Sequence, residues 1–253
     1  MFGRTGVLTA VLLAVAVVFT VGDARATPVP IVNAGFEEPY YTDPDDWSSD
    51  APPGWTQIGY GDGNVGAWWV TGGDFDAQPD GRFAAEGRNV AYTEAPYRGW
   101  SWVGLEQTLD WEFAAGKQYT LTVDIGNSWY YYFSGYKVQL LAGDTVIAQD
   151  NNTLHPDWRE WATSTVEYTY DPENFNDSLV GQLLGIRLIN LGRNPEKGDD
   201  SWVGVEFDNV RLENDTIAIL QPVMATPEPA TMLLLGAGLL GLAVVGRKKL
   251  FRK

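Results

Sequence analysis

The chain reads as an all-β protein, a jelly-roll-like β-sandwich carried between two apolar termini. Three observations predict this. Apolar and polar residues alternate with a period of two in several short segments, which marks strands with one buried face. Clusters of Gly, Asn, Asp and Pro separate those segments, and helical periodicity is nearly absent between Thr27 and Thr226. There is no Cys among the 253 residues, so a hydrophobic core rather than disulfides must hold the fold.

The N-terminus carries an export signal pattern. Arg4 gives a small basic start, Val7 to Val21 is apolar except for Thr9 and Thr20, and Ala24-Arg25-Ala26 supplies a small-x-small cleavage site. Residues 1–26 therefore read as a signal peptide and 27–212 as the β-sandwich domain. Within the domain, residues 37–87 are rich in Pro, Gly, Asp and Trp, which predicts long loops with short strands near Trp55–Ile58 and Ala67–Val70. Tyr119, Leu121, Val123 and Ile125 share one strand face. Tyr136, Val138 and Leu140 alternate likewise, as do Val166, Tyr168 and Tyr170, and then Val203, Val205 and Phe207. Leu183 to Leu191 is apolar on both faces, the pattern of a central strand. Gly143-Asp144 between two apolar segments predicts a tight hairpin. Residues 213–226 read as a linker.

The last segment begins with Pro227-Glu228-Pro229, continues as an uncharged apolar run from Ala230 to Gly246, and ends in Arg247, Lys248, Lys249, Arg252 and Lys253. As a helix, 230–246 would reach roughly 25 Å, close to a bilayer core. The basic end predicts a cytoplasmic terminus with the domain outside. These three parts, in this order, resemble the PEP-CTERM sorting signal of Gram-negative bacteria. That resemblance implies recognition by an exosortase and a membrane-anchored stage before release to the cell surface or matrix.

The formal net charge is −16. Without the seven basic and two acidic residues of the two ends, Thr27–Thr226 keeps 10 basic and 31 acidic residues, a net of −21. Such a field excludes nucleic acid and anionic membrane surfaces as partners of the domain, and it suits divalent cations as well as simple solubility.

Two signatures bracket the domain: Ile31-Val32-Asn33-Ala34-Gly35-Phe36-Glu37 with Pro53-Gly54-Trp55, and Phe207-Asp208-Asn209-Val210-Arg211-Leu212. Between them lie Leu105-Glu106-Gln107-Thr108-Leu109 and Ala115-Gly116-Lys117-Gln118-Tyr119-Thr120-Leu121. The set resembles galactose-binding-like jelly rolls, including carbohydrate-binding modules of the family 4/9 type. The resemblance implies a structural calcium ion held by Glu37 and Asp208, with Asn33 as a further ligand. The same brackets resemble calcium-dependent cyanobacterial cyclases, which would make Asp208 an acid instead.

Trp129-Tyr130-Tyr131-Tyr132-Phe133 is an unbroken aromatic run. Aromatic faces stack on sugars, so Trp129, Tyr130, Tyr131 and Tyr132 are candidate ligand-binding residues, with loop packing the equal alternative. Catalytic signals are thin. With no Cys and His155 alone in a polar turn, zinc and Cys–His chemistry are excluded in practice, and no Gly-x-Ser-x-Gly elbow is present. Among 31 acidic residues, sequence nominates no carboxylate pair for glycosidase chemistry. The reading is therefore a non-catalytic, exported surface or matrix protein that binds polysaccharide. A calcium-dependent cyclase and a purely structural matrix protein are the alternatives.

Overall fold

The structure is a computed structural model that describes residues 26–96, 101–192 and 202–216, together with positions 234 and 237. The expected signal peptide and the Pro227-Glu228-Pro229 motif lie outside the described residues, as does the expected membrane helix apart from Leu234 and Ala237. Among the described residues no helix is long and apolar enough to cross a membrane.

The strands in chain order are β1 Thr27–Val29, β2 Trp47–Ser48, β3 Thr56–Tyr60, β4 Asn64–Trp69, β5 Asn89–Pro96, β6 Trp102–Glu112 and β7 Lys117–Gly126. They continue with β8 Tyr132–Phe133, β9 Tyr136–Ala142, β10 Thr145–Asn151, β11 Trp161–Thr169, β12 Leu183–Asn190 and β13 Trp202–Thr216. They form two sheets. The eight-stranded one runs β11-β7-β13-β5-β4-β2, with β1 and β8 also paired to β13, and the five-stranded one runs β10-β9-β12-β6-β3. β12 sits between β9 and β6, the central position that its apolar run predicts. β9 and β10 close through Gly143-Asp144, where Gly143 takes φ +57°, a conformation that favours glycine.

The inner faces of the two sheets meet in one core. Leu121, Val123 and Ile125 of β7, Val138 and Leu140 of β9, Leu188 of β12 and Val205 and Phe207 of β13 are all fully buried there. β13 runs through Thr216, four residues into the stretch that reads as a linker. The reason is pairing: Asn214 and Glu213 match Thr27 and Pro28 on one side, and Asn214 and Thr216 match Tyr119 and Lys117 on the other.

A second departure has more consequence. Alternation predicts one wet face for these strands, and Thr165, Glu167, Arg211 and Glu213 do lie exposed on it, yet another part of the outer face of the eight-stranded sheet is covered. The loop between β4 and β5 folds back over it and builds a smaller core of Val70, Phe75, Ala84 and Val90, with Trp68, Phe83 and Trp161 packed against it. Phe75 stacks on Trp161 with ring centroids 4.4 Å apart, and the Trp161 indole N–H donates to the Phe83 carbonyl at 3.0 Å. We expect Phe75→Ala to lower the unfolding free energy by about 3–5 kcal/mol, read by denaturant melts, because it opens a cavity under this cover.

Candidate active site

The register of β13 against β5 places Glu206 opposite Tyr92 and Gly204 opposite Glu94. Val205 and Phe207 point into the main core, so Gly204, Glu206 and Asp208 face the covered side. Ala91 and Ala95 likewise point inward, which turns Tyr92 and Glu94 the same way. Glu94 and Glu206 are thus diagonal neighbours on one face, a separation that side chains bridge.

The segment after β7 closes over them. The Ser128 hydroxyl donates to Glu206 Oε1 at 2.6 Å and the Ser128 amide to Oε2 at 3.2 Å. Tyr132 and Phe133 add as a short parallel strand to Val203 and Gly204. Tyr131 lies directly on Gly204, where a Cβ would come within 3.0 Å of the Tyr131 Cβ, so the missing side chain is what lets the ring approach. The Tyr131 hydroxyl hydrogen-bonds the Glu94 carboxyl.

Burial sets the electrostatics. Glu206 is 2% exposed, and loss of water pushes its carboxyl up to about 7 against the pull of the two Ser128 donors. Burial likewise raises Glu94 to about 7, with the Tyr131 hydrogen bond opposing. Burial and the neighbouring Glu94 charge push the Tyr131 phenol up to about 12, so it stays a proton donor at neutral pH. Aromatic rings wall the site: Trp68 meets Tyr130 edge-on at 5.4 Å, and Tyr130 is 6.1 Å from Tyr131. A buried and a half-buried carboxyl, both raised toward neutrality beside aromatic rings, can act as a general acid–base pair.

The aromatic run thus divides. Tyr131 enters the site, and the exposed Tyr130 flanks it on the solvent side. Trp129 is exposed and packs on Trp158 at 5.8 Å, and Tyr132 is exposed on β8. Sequence reading missed Glu94, Glu206 and Ser128. Its one usable signal was Glu206 within Val203-x-Val205-x-Phe207, on a face assumed to be wet.

Asp208, the candidate acid from sequence, is two residues further along β13. Its oxygens accept the amides of Glu86 and Asn209, each at 2.7 Å. Burial raises its carboxyl, and the nearby Glu86 and Asp124 charges add to this. Glu37 grips the same short segment, accepting from the amides of Arg88 at 2.8 Å and Asn89 at 3.0 Å. Asn33 does not join them through its side chain, which exchanges both of its hydrogen bonds with the Glu38 backbone. Among the described residues no group of three or more acidic or histidine side chains is spaced to hold a metal ion. Asn89, however, is fully buried and its Oδ1 has no partner, a neutral oxygen of the kind calcium takes. Glu37, Asn89 and Asp208 fit calcium only if backbone carbonyls and water complete its six to eight oxygens.

The raised Glu94 carboxyl has a stability consequence. Its folded value of about 7 lies above the usual 4.5, so the folded state binds more protons between those limits. Its contribution is complete below about pH 4.5 and declines as pH rises toward 7. Glu94→Gln should therefore lose less melting temperature than wild type between pH 4.5 and 7.5; parallel melting profiles would contradict this.

The pattern of the HpiC1-like family (HpiC1 cyclase) matches residues 27–213, and the PEP-CTERM protein-sorting motif matches 225–249. The motif implies an exported protein handled by an exosortase. No curated protein matches the chain. A Stig cyclase, Fisc, from Fischerella sp. TAU, solved in complex with (3Z)-3-(1-methyl-2-pyrrolidinylidene)-3H-indole, is 39% identical with a TM-score of 0.65. That match covers 76% of this chain and 100% of that one. A cyclase from Fischerella sp. TAU in complex with 4-(1H-indol-3-yl)butan-2-one is 38% identical with a TM-score of 0.63, covering 76% of this chain and 99% of that one. A carbohydrate-binding module in complex with beta-1,4-galactotriose reaches only a TM-score of 0.40 and 15% identity. These matches overturn the expectation of a non-catalytic protein: the buried carboxyl pair, invisible in the sequence, sits in a chain that belongs to the HpiC1-like cyclase family.

Proposed function

We propose that this protein is an exported cyclase that closes a ring in an indole-type substrate by proton transfer from the Glu94–Glu206 pair. The observation that carries the reading is the pair itself: two carboxyls with values near 7, diagonal on one sheet face, capped by Ser128 and Tyr131 and walled by Trp68 and Tyr130. Two cyclases 38–39% identical to this chain were solved with indole compounds, which supports the substrate class.

The two carboxyls interact, so they titrate as a unit that holds about one proton at neutral pH. That proton adds to an electron-rich carbon of the bound indole derivative and leaves a cation on the substrate. The faces of Trp68, Tyr130 and Tyr131 stabilise positive charge, and a tethered double bond attacks the cationic carbon to form the new ring bond. Loss of a proton from the cyclised cation to the carboxylate restores the pair. One proton enters and one leaves, so the reaction is an isomerisation that requires no oxidant or reductant. Exclusion of water keeps the cation from being trapped as an alcohol.

The test uses 4-(1H-indol-3-yl)butan-2-one as a binding probe and an alkenyl indole as substrate, with products separated by chromatography. Glu206→Gln and Glu94→Gln should each lose roughly 10²–10⁴-fold in kcat while still binding the probe. Full turnover by both folded variants would sink the assignment.

Calcium belongs to this reading as a clasp rather than as a participant in the chemistry. Glu37, Asn89 and Asp208 would hold it along residues 86–89, tying the N-terminal segment to β13. Chelator should lower the melting temperature of the wild type, and Glu37→Gln should abolish that response; a wild-type melt indifferent to chelator would remove the clasp.

A further inference from the structure

We propose that Arg159 is a positioning residue for the carboxyl pair, acting through Ser128. The inference rests on the acid–base role of that pair. Arg159 lies in the turn before β11 at φ +70°, a left-handed conformation that a non-glycine residue keeps only when its surroundings require it.

Its surroundings are two separate segments. Its amide donates to the Asn127 carbonyl at 2.7 Å, and its own carbonyl accepts the Asp76 amide at 2.9 Å. Its guanidinium reaches back under the turn 71–76. There Nη2 donates to the carbonyls of Gly72 at 2.6 Å and Phe75 at 3.3 Å, and it lies 3.1 Å from Asp76 Oδ1. The turn is stiffened from within, because Asp74 Oδ2 accepts from the Thr71 amide at 2.7 Å and hydroxyl at 3.0 Å.

This turn in turn fixes the segment over the site. The Asp74 carbonyl accepts the Trp129 amide at 3.2 Å, and the Glu160 carbonyl accepts the Asn127 amide at 3.1 Å. Ser128 is therefore held on both sides: at Asn127 by the Arg159 turn itself, and at Trp129 by the turn that the guanidinium grips. Both hydrogen bonds from Ser128 to Glu206 depend on that placement. All three contacts converge on Nη2, so a cationic nitrogen at this point is what holds the turn.

A double-mutant cycle in the full chain tests this, with Arg159→Met and Ser128→Ala singly and combined. Arg159→Met should lower kcat roughly 10- to 100-fold with little change in KM. It should add little to Ser128→Ala, since both act on the same contact. Arg159→Lys should recover part of the loss. Additive losses would overturn the proposal. Hydrogen exchange without substrate gives a second readout: in Arg159→Met the amides of Ser128 and Trp129 should lose protection while those of Leu121 and Val123 keep theirs. Unchanged exchange at Ser128 and Trp129 would overturn it as well. If Arg159→Met does not fold, Arg159→Lys carries the exchange measurement. Wild-type protein without turnover would count against the cyclase reading alone, because the exchange result is independent of chemistry.

Discussion

Exclusion of water from the outer face of the eight-stranded sheet is the constraint on which the site depends. A sandwich needs only its inner faces buried to be stable, and that core is complete here. The cover of Val70, Phe75, Ala84 and their aromatic neighbours is additional. It converts a face that carries Glu206, Asp208 and Asp124 from a solvated surface into an interior. A carboxylate left there without water must either be paired or hold its proton, and burial pushes both Glu94 and Glu206 toward the protonated form.

The arrangement works against stability and toward chemistry. A buried carboxyl pair is a liability for folding at neutral pH, because water would hold both charges more cheaply in the unfolded chain. Its retention is intelligible where an acid near neutrality is needed, since proton transfer is most effective when the donor titrates close to the working pH. The neighbours moderate the effect without cancelling it. Ser128 donates to both oxygens of Glu206, and Tyr131 hydrogen-bonds Glu94, each favouring the ionised form against the burial that raises it. Gly204 has a matching role: by having no side chain it lets Tyr131 rest against β13 above the pair.

Export fits the same picture. The chain lacks Cys, so its resistance to the outside must come from packing, and two layers of core over one sheet provide more of it than a bare sandwich would. The proposed isomerisation also suits a protein that carries a sorting motif, because it would require no diffusible redox partner.

Much of the scaffold was legible in the sequence. The period-two alternation in 118–125, 136–140 and 203–207 identified strands and their core faces, and Gly143-Asp144 identified a hairpin, because these features depend on neighbours only a few residues apart. The sorting motif was legible for the same reason: it is a local pattern read in order. The site was not. Glu94 and Glu206 meet only through strand pairing, Ser128 arrives from a third segment, and the turn over them comes from a fourth. Among so many acidic residues nothing local distinguishes the two that meet at this site. Residue type and alternation settle which face of a strand is apolar, whereas the fate of the polar face depends on where distant loops come to rest, and that is decided by tertiary packing alone.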